Sequence, residues 1–101
     1  MAENSYSVVV TVNGQVGRRS NNGIDPDKAG TGEYDVTFPE PIRDWLWLAT
    51  IAPTDDTPQN PSFITVERST MTDDAVHVRT SDKNGNAADR AFHLHVRRLR
   101  A

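Results

Sequence analysis

Gly32-Glu-Tyr-Asp-Val-Thr-Phe-Pro-Glu-Pro-Ile-Arg-Asp-Trp-Leu-Trp-Leu-Ala-Thr-Ile51 is the stretch on which the fold of this chain turns. Residues 33–38 alternate without a break, with Tyr34, Val36 and Phe38 on one face and Glu33, Asp35 and Thr37 on the other, the period of a half-buried strand. Pro39 and Pro41 cannot donate to a central ladder, so the chain must leave the sheet or turn a corner before Trp45. Residues 45–51 alternate again, but Trp45, Trp47, Ala49 and Ile51 face one way while Leu46, Leu48 and Thr50 face the other, and neither side is suited to water. A chain this short has room for one core layer between two sheets. A strand apolar on both faces therefore borders that core and a second buried surface; the economical second surface is another copy of the same chain, the alternative a loop of this chain laid over that face. Trp45, Leu46, Trp47 and Leu48 are the candidate oligomer interface.

Working outward, residues 6–12 place Tyr6, Val8, Val10 and Val12 on one side of a strand, and Asn13-Gly14 follows as a two-residue hairpin signal with a short return from Gln15. Residues 17–30 show no sustained period and read as a long loop, with one helical turn conceivable at Asp25-Pro26-Asp27-Lys28. Residues 52–62, with Pro53, Pro58 and Pro61, read as a stiffened loop, and residues 63–67 as a further strand. Residues 75–80 point Val76 and Val78 inward, and residues 91–97 do the same with Phe92, Leu94 and Val96. The Asn84-Gly85 turn between them makes these two runs the strongest hairpin expectation in the chain. The sum is an all-β antiparallel β-sandwich of about six or seven short strands, forming one domain.

Composition narrows the functional classes. The net charge of −3 argues against a general nucleic-acid binder, which needs a surplus of Lys and Arg to neutralise phosphate. The absence of cysteine removes disulfides, thiolate zinc sites and cysteine nucleophiles together. The longest apolar run is too short to span a bilayer, so no membrane partner is expected, and residues 1–6 lack the basic start and apolar core of a secretory signal. A virion, extracellular or cytoplasmic setting all stay open.

The candidate binding residues are His77, Arg79, His93 and His95, with Arg97 beside them. If residues 75–80 and 91–97 pair, the three imidazoles share the face opposite the apolar residues, and a three-histidine zinc site is geometrically conceivable. Arg79 and Arg97 on that face would repel a cation, so a polar outer face or a subunit boundary is the plainer reading, and no metal or cofactor is implied. Were that face buried by a neighbour, acidification would loosen the assembly. Asp55-Asp56 and Asp73-Asp74 lack the spaced ligand pattern of a calcium loop. Ser, His and Asp occur without a nucleophile elbow, which argues against an enzyme.

The succession Thr31-Gly32-x-Tyr34-x-Val36-x-Phe38, Leu48-Ala49-Thr50-Ile51, Phe63-Ile64-Thr65-Val66, Val76-His77-Val78-Arg79-Thr80, a Gly85 turn and Asp89-Arg90-x-Phe92-His93-Leu94-x-Val96 resembles a small β-domain widespread in actinobacterial proteins. It also looks like the β-sandwich modules that end phage tail-fibre-type proteins. That resemblance implies a non-enzymatic, oligomerising structural or receptor-binding module. The strand spacing is similar also to the six-stranded H-type lectin sandwich, which implies a trimer and, as the alternative function, a glycan-binding protein. Similar domains often carry cysteines near the positions of Trp45 and Arg98, and this chain has none.

Overall fold

A computed structural model of the chain describes residues 4–53 and 61–99. The strands are β1 (Ser5–Val10), β2 (Val16–Arg19), β3 (Asp25–Gly30), β4 (Glu33–Thr37), β5 (Leu46–Ile51), β6 (Ser62–Arg68), β7 (Ala75–Asp82) and β8 (Phe92–Arg97). They form two four-stranded sheets, ordered β2-β1-β8-β5 (sheet A) and β3-β4-β7-β6 (sheet B), with every pairing antiparallel. The all-β sandwich anticipated from the alternation is the fold observed, with eight strands rather than six or seven.

The core lies between the sheets and is built from the residues that alternation placed inward. Tyr6, Val8 and Val10 of β1 and Phe92, Leu94 and Val96 of β8 meet Tyr34 and Val36 of β4 and Val76 and Val78 of β7. Tyr34 and Phe92 make an edge-to-face contact across the two sheets, their ring centroids 5.1 Å apart, a geometry that adds about 0.5–1.5 kcal/mol to the burial itself. The Tyr34 hydroxyl donates to the Val12 carbonyl at 2.8 Å, so its polar end is satisfied inside the core. Val12 itself lies past the end of β1 and is exposed.

The proline corner carries the chain from one sheet to the other. Phe38 and Ile42 donate their backbone N–H groups to the Asp74 and Asp73 carbonyls, and the chain then enters β5 at the edge of sheet A. The Asn13-Gly14 hairpin forms as expected, with Gly14 at φ 80°, a left-handed conformation that favours glycine.

Two expectations are corrected. Residues 17–30 are not one long loop: they hold β3 and most of β2, and Asp25 to Lys28 is extended rather than helical. Both are edge strands that pair on one side only, so their sequences need little alternation, and an edge tolerates Pro26. The second correction concerns β7 and β8, which do not form a hairpin. β7 pairs with β4 and β6 in sheet B, whereas β8 pairs with β1 and β5 in sheet A. The Asn84-Gly85 turn does form, closed by Asp82 accepting the N–H groups of Asn84 and Asn86 and by a single Ser81–Ala87 bridge. Beyond it the chain crosses the end of the sandwich, where Asp89 accepts the Gly32 N–H at 2.7 Å and the Thr80 hydroxyl donates to the Ala88 carbonyl at 2.6 Å. Phe92, Leu94 and Val96 thus enter the core from the opposite sheet. The loop around Pro58 and the Asp55-Asp56 pair lie outside the described residues.

Candidate functional site

Each sheet turns one face to the core and one outward, and the candidate binding residues fall on the two outward faces. Cross-strand register places Ser7, His95 and Leu48 in one row of sheet A, and Arg18, Val9, His93 and Thr50 in the next. Between these rows lies an open hollow of about 500 Å³. Ser7 Oγ and His95 Nδ1 are 2.7 Å apart at its rim, and the Ser7 backbone N–H donates to Ser20 Oγ at 2.9 Å. Every titratable side chain lining this hollow is a cation or an imidazole. Among the described residues, no carboxylate pairs with Arg18 or Arg97.

His77 and Arg79 lie on the outward face of sheet B. His77 Nδ1 is 2.7 Å from Asp35 and Nε2 is 3.3 Å from Glu33, with Glu67 at 4.0 Å. A neutral imidazole has one N–H to give, so both short contacts are donor bonds only in the imidazolium. Arg79 Nε sits 3.0 Å from Glu67 and 3.9 Å from Glu33. Asp27 stands directly across from Asp35 in the β3–β4 ladder, a like-charge pair that weakens a sheet unless something offsets it. Sheet B therefore presents a predominantly acidic face.

The expected grouping of His77 with His93 and His95 is thus corrected: the imidazoles stand on opposite outer faces of the sandwich, because β7 and β8 belong to different sheets. Among the described residues, no three His, Cys, Asp or Glu side chains are arranged to hold a metal ion. The carboxylates around His77 were missed in the sequence because Glu33, Asp35 and Glu67 sit on two other strands. Only the β4–β7–β6 pairing brings them together.

The four apolar candidates divide. Trp45 stacks on Tyr6 with centroids 5.7 Å apart and an interplanar angle of 5°, and the Arg98 guanidinium lies 4.9 Å over its ring. Trp47 donates its Nε1–H to the Ile42 carbonyl at 2.9 Å. Both rings pack on the chain's own core and are half-buried. Leu46 and Leu48, by contrast, are 41% and 55% exposed on the outward face of sheet A. Arg98 is drawn back onto the body of the protein by Glu40 at 2.7 Å. The same Glu40 accepts the Tyr6 hydroxyl at 2.5 Å.

No family model, no curated protein and no solved structure matches this chain.

Proposed function

We propose that this protein is a non-enzymatic assembly module of structural or receptor-binding type, and that copies of it associate through the outward face of sheet A. The observation that carries this reading is the position of Leu46 and Leu48. They stand outward on β5, an edge strand, with Val9, Thr50 and His95 alongside. Water would otherwise have to cover two adjacent leucines on this face, and a partner seated on it removes that exposed apolar surface.

The test is mass in solution, measured by sedimentation from low to high micromolar concentration, for the native chain and for Leu46→Asp with Leu48→Asp. An associating native chain and a monomeric, folded double variant are expected. A native chain that stays monomeric throughout would overturn the reading.

A second reading, carbohydrate binding, draws on the hollow in sheet A, where Ser7, Thr50, His93 and His95 offer hydrogen-bonding groups suited to sugar hydroxyls. Its weakness is that the Trp45 and Trp47 rings, the natural platforms for a sugar, pack on the core instead. Binding of the native chain on a glycan array tests it.

A further inference from the structure

The two outward faces differ in charge. Across sheet A, from the β2 edge to the β5 edge, the outward residues run from Arg18 through the histidines of β8 to Leu46 and Leu48. Across sheet B, from the β3 edge to the β6 edge, one outward row runs Asp27, Asp35, His77 and Glu67. β5 and β6 contact each other, so the β2 edge of sheet A and the β3 edge of sheet B lie on the same side of the sandwich. A copy laid over the next one in the same orientation therefore brings Arg18 toward Asp25 and Asp27.

From this we infer that self-association is head-to-tail, with sheet A of one copy seated on sheet B of the next. The inference rests on the proposed self-association and specifies its geometry. A face-to-itself contact through sheet A would press Arg18, Arg97, His93 and His95 against their own kind with no described carboxylate on that face to answer them. Sheet B supplies the carboxylates, including Asp27, which stands across from Asp35 and has no ion-pair partner among the described residues. His77 already answers Asp35 within the chain, and a cation of a neighbour seated on that face answers Asp27. Because the two faces lie on opposite sides of one sandwich, the contact repeats without closing into a ring of three. Successive copies then build an open stack, and the angle of about 30° between packed sheets turns it into a helical one. The number of copies grows with concentration and falls with added salt.

Two charge variants test this. Asp25→Lys with Asp27→Lys alters only the exposed edge of sheet B, and Arg18→Glu with Arg97→Glu alters only sheet A. Sedimentation at low salt is expected to show native species that lengthen with concentration, and each variant alone weakened at least tenfold in self-association. An equimolar mixture is expected to associate again, since each variant keeps one native face, and that recovery also shows that both are folded. Self-association of the Asp25→Lys, Asp27→Lys variant at native strength would overturn the head-to-tail geometry while leaving assembly through sheet A intact. A fixed trimer mass at all concentrations would overturn the open stack. A native chain that is monomeric throughout would remove the underlying proposal as well.

Discussion

Tyr6 of β1 and Trp45, the residue just before β5, lie nearly parallel, ring against ring, their centroids 5.7 Å apart. Around them Glu40 holds two groups at once, accepting from the Tyr6 hydroxyl with one carboxylate oxygen and from Arg98 with the other. The arrangement ties the proline corner and the C-terminal end of β8 to the first strand. It also explains why the most aromatic stretch of the chain does not present its tryptophans outward: Trp45 is engaged by Tyr6 and Arg98, and Trp47 by the Ile42 carbonyl.

Trp45→Ala is therefore expected to act on stability. The ring is half-buried, so the loss is placed at the lower end of the range for large aromatic truncations, about 3 kcal/mol. Trp45→Phe, which keeps a ring against Tyr6, is expected to lose less than half of that. Urea unfolding followed by circular dichroism measures both. A Trp45→Ala variant within about 1 kcal/mol of native stability would show that the stack contributes little.

Leu46→Asp and Leu48→Asp are expected to do the reverse. Their side chains are outside the monomer's core, and surface substitutions usually stay within about 0.5 kcal/mol. Unfolding midpoints near native under conditions where the chain is monomeric are the expected result. Loss of folding would place both leucines in the chain's own core.

Gly32 closes the turn between β3 and β4 at φ 67°, with its N–H bonded to Asp89 and its carbonyl accepting from Thr80. A Cβ there would collide with the Thr80 carbonyl oxygen, and the left-handed conformation alone costs a non-glycine residue about 1–2 kcal/mol. Gly32→Ala should therefore destabilise by at least about 2 kcal/mol, read from the denaturant midpoint. An unchanged midpoint would mean that the crossover from β7 to β8 can move aside at little cost.

Burial of the Tyr34 phenol, with the nearby Asp89 carboxylate second, raises its ionisation above the ordinary tyrosine range. As pH climbs through that ordinary range the unfolded chain releases the proton while the folded chain keeps it. Stability present below the ordinary value is thus lost progressively until the folded phenol also ionises. Comparison of Tyr34→Phe with the native chain by thermal unfolding from pH 8 to alkaline pH isolates this contribution: the variant should show the shallower decline. Parallel declines would assign the alkaline loss to other groups.

Asp82 titrates in the opposite sense. Its carboxylate accepts the Asn86 backbone N–H first and that of Asn84 second, and these bonds lower its ionisation below the ordinary aspartate range. The unfolded carboxylate takes up its proton first on acidification, so the stability present above the ordinary value is lost as pH falls through the folded one. Asp82→Asn should flatten the acid limb of the stability profile, and NMR titration of the Asp82 carboxyl should give a midpoint below that of a free aspartate. A midpoint at or above it would refute the turn's role.

What could be read from the amino-acid order was whatever depends on one strand at a time. Alternation in residues 33–38 and 91–97 assigned Tyr34, Val36, Phe38, Phe92, Leu94 and Val96 to the core, and each is buried. Alternation in residues 45–51 exposed β5 as the strand with apolar side chains on both faces, and Leu46 and Leu48 do point outward. Side chains on a strand alternate for steric reasons internal to the chain, so this information is local. Partner choice is not local. Only the tertiary structure decided that β7 joins β4 and β6 while β8 crosses to lie between β1 and β5. An apolar face can be buried equally well from either side of a sandwich, and the turn at Asn84-Gly85 is compatible with both. That decision separated His77 from His93 and His95, drew Glu33, Asp35 and Glu67 around His77, and left one outer face cationic and the other acidic. It also made strands of residues 25–30, where an edge position demands backbone pairing on one side and little of the side chains.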